Sequence, residues 1–436
     1  MKTTSDAIII GAGVIGAATA FELCKRGYQT LNIDKLPGAG YGPTSSSCSI
    51  VRAHYSSWDG VAMAHEGFSY WRDWPNYLEI DAAEGEIATY MQSGTALLKS
   101  KTGHHEKVLE HYRDLGVEHE EWDTDTLKAR IPYYDVHAFW PPSRPEDADF
   151  FRKPEEELEG AIYTPGSGYV NDPQLATRDL QRAAEAKGGR FRFNTKIVEV
   201  RRSDGRVRGV TLDSGEEIDA PVVVNVTGPH SFVINRLAGV EETMNIKTRA
   251  LRHEVHIVPA PPGIDYEHEG FHTSDGDQGI YFRPEAGNNI LIGSEDPPCD
   301  PQVWVDDAET FDRNVTRAQY AAQVYRVARR IPTVEVPSQP RGLSDLYDVS
   351  DDWIPLYDRS DLDGFYMAVG TSGNQFKNAP VVGLLMAELI DACEKGQDHD
   401  ANAVQVKVPY TGVVLDAGFY SRNREINPNS SFSVNG

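Results

Sequence analysis

The sequence predicts an α/β fold. A doubly wound parallel sheet is assembled from separate stretches of chain and joined to a second, α+β domain with an antiparallel sheet. Three observations predict it. Residues 7–34, AIIIGAGVIGAATAFELCKRGYQTLNID, read as strand, glycine turn, helix and a second strand closing on an acid. Residues 218–226 are a very apolar strand, VVVNV at its core, running into Thr227-Gly228-Pro229-His230-Ser231. Residues 364–391 repeat the order strand, glycine turn, helix. Apolar strands that end in glycine turns are buried parallel strands, and such sheets bind ligands at the strands' C-terminal ends.

The first unit carries the most physical content. Ala7–Ile10 is the strand, 14–26 the helix and Thr30–Ile33 the second strand. Gly11 permits the tight turn, Gly13 lets backbone approach a pyrophosphate, and Gly16 lets the helix lie close on the strand. Val14 and Ile15 open the helix, whose N-terminus offers free N–H groups and a positive dipole end to phosphates. Asp34, with Lys35 beside it, stands where a ribose hydroxyl would be held. The full Rossmann-like unit points to an adenine dinucleotide, without choosing between a flavin and a nicotinamide. A secretory leader over residues 1–20 is the rival reading, with Lys2 as its charge and Ala18-Thr19-Ala20 as its cleavage site. It fails on Asp6, on the interrupting glycines and on the unexplained second strand.

Beyond Asp34, residues 36–47 form a Gly/Pro/Ser loop. Ser45, Ser46, Ser47 and Ser49 offer hydroxyls to a phosphate, and 45–47 can cap a helix; the plain alternative is a solvated loop. Ile50 and Val51 begin something ordered, 60–74 is helical, and Trp71 and Trp74 pack inward. Residues 77–165 turn acidic, aromatic and proline-rich, with a strand over 88–99 and an amphipathic helix over 104–115. Order returns at 168–171, followed by a helix over 173–187, a strand at 190–194 and a hairpin, 196–202 with 207–212, around Ser203-Asp204-Gly205. A second excursion, 245–335, holds antiparallel strands at 251–258, 280–283 and 288–293 and a helix at 316–331. The domain reading follows: 1–76, 166–244 and 336–400 bind the dinucleotide, 77–165 and 245–335 form the substrate domain, and 401–436 is a tail packed on the core.

Composition narrows the function. A chain of 436 residues with 40% hydrophobic residues is a globular protein of about two domains. A net charge of −24 argues against nucleic acid and anionic membrane surfaces as partners. No apolar run is long enough to span a bilayer. Cys24, Cys48, Cys299 and Cys393 are scattered without metal-ligand spacing, so no metal is expected, and a reducing, cytoplasmic setting is.

These stretches together (GAGVIG, the Ser-rich loop with IVRAHY, NVTGPHS and GTSGNQFKNAPVVG) resemble the D-amino-acid oxidase (DAO) superfamily of FAD flavoproteins, on its sarcosine oxidase and dimethylglycine dehydrogenase side. The resemblance runs from residue 6 to about 398 and continues weakly in PYTG and FYSRNRE. Its most specific part is Gly370-Thr371-Ser372-Gly373-Asn374-Gln375-Phe376-Lys377, similar to the family's G-x-S-G-x-G-F-K. The resemblance implies FAD, with Val198 on the adenine side, Thr227 and Gly228 near the pyrophosphate, Gly342 lining the cofactor, and 370–377 around the isoalloxazine. It implies that Arg52 and Lys377 hold a substrate carboxylate, a role that guanidinium and ammonium groups suit. Each also has a plainer reading, Arg52 as a partner for a phosphate or internal acid and Lys377 as a surface cation. Tyr281 and Glu295 are the expected groups over the flavin, Glu295 standing where sarcosine oxidases carry a His; a solvated loop acid is its alternative. His54 and His253 are weaker candidates.

Two departures follow. Ser344 stands where monomeric sarcosine oxidases attach FAD through Cys, and Ser46 where dimethylglycine-type relatives use His. Non-covalent FAD is therefore expected, with Cys48 as the remaining attachment point. Leu291 stands where those oxidases place a Lys that assists oxygen reduction, so an acceptor protein rivals O2. The expected activity is oxidation of a carboxylate-bearing secondary or tertiary amine to an imine that hydrolyses. Oxidation of a 2-hydroxy acid or glycerophosphate on the same fold is the second reading, and a flavin-carrying subunit of an electron-transfer complex the third.

Overall fold

The computed structural model describes residues 3–80 and 85–436; Lys2, and with it the leader's charged end, lies outside them. A six-stranded sheet holds the first layer, in the order Arg190–Arg192, Thr30–Ile33, Ala7–Ile10, Val222–Asn225, Phe365–Val369, Leu356–Arg359. All neighbours run parallel except the last pair. The hairpin Ile197–Ser203 with Arg206–Leu212 covers one face, and helices cover the other, where Val14–Lys25 packs against Pro173–Ala186 and Ala379–Glu394. The latter helix comes so close that a Cβ on Gly383 would stand 2.7 Å from the Ala18 carbonyl oxygen. Asn32 is wholly buried in the sheet, and its amide donates to the Gly11 and Gly16 carbonyls at 3.1 Å each, tying the second strand to the glycine turn.

The 218–226 strand is broken. Glu217–Asp219 joins a small sheet with the hairpin Ile197–Ser203 and Arg206–Leu212, while Val222–Asn225 enters the central parallel sheet. Pro221 lies at the break, where its missing N–H cannot serve a ladder. The 88–99 strand is likewise two strands, Tyr90–Met91 and Thr95–Leu98, in different sheets, with Gly94 at φ 83 between them.

The second layer is a large sheet, antiparallel but for the pair His272–Asp275 with Thr95–Leu98. Its order runs Val303–Val305, Thr248–Pro259, Asn289–Ser294, Ile280–Glu285, His272–Asp275, Thr95–Leu98, Ala161–Thr164, Glu120–Trp122. Helix Arg317–Arg330, capped by Thr316 through the Gln319 N–H, covers it with Val324 and Val327. The strand Gly342–Ser350 lies in this sheet too, paired along Thr248–Pro259, so the 336–400 stretch crosses from one layer to the other.

The tail folds back over both layers. Buried Arg422 donates to Asp358 at 3.1 Å and to Asp361 at 2.6 Å, and forks onto Asp400 at 2.9 Å. Among the described residues no helix is long and apolar enough to cross a membrane, and no group of three or more His, Cys, Asp or Glu could hold a metal.

Candidate active site

One cavity of about 660 Å³ runs between the layers, from the end of the second parallel strand to the 370–377 turn. Its first wall is the glycine turn. Gly11 takes φ 116, and a Cβ there would stand 2.6 Å from the Val226 carbonyl oxygen, so only glycine fits. Gly13, Val14 and Ile15 line the cavity. A Cβ on Gly13 would meet nothing nearer than the Thr44 hydroxyl, at 3.1 Å; the space beside this backbone faces the cavity. No side chain caps the helix that starts here, although the Val14 N–H meets Thr44 Oγ1 at 3.2 Å. Gly16 faces inward instead, where a Cβ would come within 2.5 Å of the Gly11 oxygen.

Asp34 closes this end. One carboxylate oxygen accepts the Ala12 N–H at 2.7 Å and the other the Leu36 N–H at 2.9 Å, which braces the turn and leaves further lone pairs. Burial pushes its carboxyl up against those hydrogen bonds. Lys35 donates to Glu309 at 2.6 Å and lies 2.9 Å from His230 Nε2. Val198, Thr227 and Gly228 line the same region.

Ser46, Ser47 and Ser49 line the middle, and Ser45 does not. These serines cap no helix; the next helix, Trp58–Arg72, takes its cap from Ser57. Ser46 donates to Asp345 at 2.7 Å and Ser49 to the Val170 carbonyl at 2.6 Å, pinning the loop to the large sheet and to strand Gly168–Val170. Gly342 lies off the cavity at the strand's start. So do Ser344 and Leu291, whereas Cys48 lines it.

The far wall is the second glycine turn, where Gly373, Asn374, Gln375, Phe376 and Lys377 line the cavity. Gly370 and Ser372 shape the turn from behind it. Buried Asp348 accepts the Gly370 N–H at 2.6 Å and the Ser231 hydroxyl at 2.8 Å, and its carbonyl accepts the Ser372 N–H at 2.7 Å. Burial raises the Asp348 carboxyl to about 7. Phe376 stacks on Trp71, and Trp71 on Trp74, which fixes the turn against helix Trp58–Arg72.

Arg52 and Lys377 meet here, 325 positions apart in sequence, both against the ring of Tyr55. The guanidinium carbon of Arg52 lies 4.9 Å from the Tyr55 ring centre, and Lys377 Nζ lies 5.0 Å from it. Lys377 is 3% exposed and donates to the Tyr55 hydroxyl at 2.9 Å and the Asn374 carbonyl at 2.6 Å. Burial, then the charge on Arg52, holds its ammonium well below the ordinary lysine range. Arg52 donates to the carbonyls of His54 and of Val434, the latter at 2.5 Å, so the tail reaches into the site. None of these acceptors is a carboxylate.

Tyr281 and Glu295 face the cavity from the large sheet. The Tyr281 hydroxyl lies 3.3 Å from Cys48 Sγ, and burial keeps it protonated. Glu295 accepts the Ser274 hydroxyl, and burial raises its carboxyl to about 7. His253 lines the cavity, stacked on Tyr347 at 4.0 Å and paired with Asp296 at 3.0 Å. His54 and His272 line it as well, their rings stacked at 5.9 Å. His272 belonged to no motif in the sequence; only its alternate position on a buried strand bears on where it points.

The cavity thus joins the first glycine turn, the acid Asp34 and a deep end where Arg52 and Lys377 both lie against Tyr55. Comparison with known proteins then gives the family. The model of the DAO family, described as FAD dependent oxidoreductase, matches residues 6–389. Glycine oxidase of Geobacillus kaustophilus is 25% identical over 405 residues, 90% of this chain and 94% of that protein. Human peroxisomal sarcosine oxidase is 26% identical over 396 residues, 89% of this chain and 92% of that protein. The crystal structure of L-proline dehydrogenase from P. horikoshii superposes with a TM-score of 0.74 at 20% identity, covering 97% of this chain and 98% of that one, a likeness of fold.

Proposed function

This chain belongs to the DAO family of FAD-dependent oxidoreductases, and from that premise we propose that it oxidises a secondary or tertiary amine bearing a carboxylate, such as an N-methylated amino acid. The observation that carries the proposal is the buried pair Arg52 and Lys377 against Tyr55, with no carboxylate among their hydrogen-bond acceptors. Two buried cationic groups with no carboxylate hydrogen-bonded to either are costly alone and become favourable once an anion arrives. A substrate carboxylate supplies that anion, accepting from Lys377 and displacing the Val434 carbonyl from Arg52.

Gly11–Ile15 would hold the diphosphate of FAD and 373–377 would line its ring. Bound FAD would supply the two-electron oxidant for a hydride lost from the carbon beside the amine nitrogen. The protein's own groups do the rest. Arg52 and Lys377 fix the carboxylate, so the amine can present that C–H bond in one orientation. Glu295, with a carboxyl at about 7, accepts the ammonium proton near neutral pH and leaves the neutral amine that oxidation needs. Burial keeps the Tyr281 hydroxyl protonated and able to donate. The imine product hydrolyses in water to a carbonyl compound and an amine.

Attachment of FAD is non-covalent in this proposal: Ser344 and Ser46 replace the Cys and His of attaching relatives, and Cys48, which lines the cavity, has its thiol raised by burial and held against the Tyr281 hydroxyl. The names glycine oxidase and sarcosine oxidase favour an amino-acid-type amine over a hydroxy acid. The test is turnover of the purified holoenzyme with a redox dye as acceptor, across N-methylated amino acids and the matching 2-hydroxy acids. Amine-dependent dye reduction with release of a carbonyl product supports the proposal; reduction by the hydroxy acids alone overturns it.

A further inference from the structure

We propose that the substrate carries a second acid group, seated against His54 and His272 beside the Arg52–Lys377 pair; this rests on the amine reading above and specifies its substrate class. His54 lines the cavity, is 1% exposed, and its Nε2 is buried without a hydrogen-bond partner. A buried ring nitrogen left unpaired costs free energy that an occupant with a matching group would recover. His272 stacks on His54 with the ring planes 9° apart, and its Nδ1 lies 3.2 Å from the Thr95 hydroxyl. His104, at the start of helix His104–Leu115, closes the group edge-on at 6.4 Å, and its Nε2 is also buried and unpartnered.

The charge balance around this cluster is one-sided. The groups facing His54 are Arg52 two residues before it, His272 from the large sheet, His104 from the helix and Lys377 from the glycine turn. Burial and then Arg52 hold His54 and His272 well below the ordinary imidazole range, and the same two causes push His104 down to about 3. Glu295 is the acid close to Arg52, and its carboxyl at about 7 is mostly protonated below neutrality. A single carboxylate satisfies Arg52 and Lys377 and leaves the imidazoles unmatched. A second anionic group would raise the imidazole pKa, draw a proton onto the cluster and accept a charge-assisted hydrogen bond from His54 Nε2.

The test compares acid and amide forms of one substrate: N-methyl-aspartate with N-methyl-asparagine, and N-methyl-glutamate with N-methyl-glutamine. Holoenzyme is mixed anaerobically with each, and the apparent Kd is read from the concentration dependence of flavin bleaching, with N-methyl-alanine as the singly charged reference. The expected result is that an acid binds roughly tenfold or more tighter than its amide. Its binding should also take up protons, seen as a dependence of calorimetric heat on buffer ionisation enthalpy. His54→Asn and His272→Asn should each shrink the acid–amide gap, read as the ratio of the two Kd values within one variant. Equal Kd values for both acid–amide pairs in the wild type, or a gap unchanged in both variants, overturns the second subsite. Absence of bleaching by every amine, N-methyl-alanine included, would instead overturn the amine reading beneath it.

Discussion

Replacing Lys377 by Met keeps the side chain's length and removes its charge. Two of the three ammonium donors are spent on the Tyr55 hydroxyl and the Asn374 carbonyl, which leaves one for a substrate oxygen. One charge-assisted hydrogen bond is worth about 1.5–3 kcal/mol, or roughly 10- to 150-fold in affinity. Arg52 remains, so binding is weakened and not abolished. The fold should tolerate the change, because the Tyr55 hydroxyl keeps its own bond to the Asn374 carbonyl at 2.5 Å. Stability adds a second readout. The folded state holds the Lys377 pKa well below its unfolded value, so between those values the unfolded chain binds more protons. That penalty is present at neutral pH and fades as pH rises toward the unfolded pKa. Lys377→Met should therefore melt no lower than wild type at neutral pH. The assay is anaerobic stopped-flow bleaching, which separates Kd from the limiting rate. An unchanged Kd for every anionic amine, in a variant that retains its FAD, would refute the clamp.

Two glycines of the first turn separate fold from cofactor. Gly16→Ala forces a Cβ to within 2.5 Å of a backbone oxygen and should lower the melting temperature of the apoprotein. Gly13→Ala meets only the Thr44 hydroxyl at 3.1 Å, so it should leave that temperature nearly unchanged while weakening FAD retention on gel filtration. The raised Glu295 carboxyl makes a pH prediction. Its folded pKa of about 7 lies above the unfolded value, so the native state keeps a proton that the unfolded chain releases from about pH 4.3 upward. Its contribution to stability falls as pH rises through that window, and Glu295→Gln should flatten the fall, checked by melting scans across it. The same variant should remove a step near pH 7 from the rate of flavin reduction; a step that persists would assign the titration to another group.

Legibility in the sequence followed how local each interaction is. The unit 7–34 could be read because strand, turn, helix and acid each leave a mark within one short stretch, and the element bounds differ by one residue at the helix end. The 218–226 stretch misled because composition alone cannot show a chain leaving one sheet for another, although Pro221 was the available sign. Gly342–Ser350 joined the large sheet through pairing with Thr248–Pro259, a partnership distant in sequence that no local pattern encodes. In the site, motif-borne residues such as Arg52 and Lys377 could be named in advance. Tyr55, whose ring both lie against, and the His54–His272–His104 group could not be assigned as a unit, because three separate elements bring it together.

Anaerobic titration of the holoenzyme with an N-methylated amino acid, and with the matched amine lacking its carboxylate, tests the central claim most directly. Bleaching of one flavin per substrate oxidised is expected, with saturation by the carboxylated amine and far weaker response to its neutral counterpart. Bleaching by a matched 2-hydroxy acid but not by the amines, or equal affinity with and without the carboxylate, would contradict it.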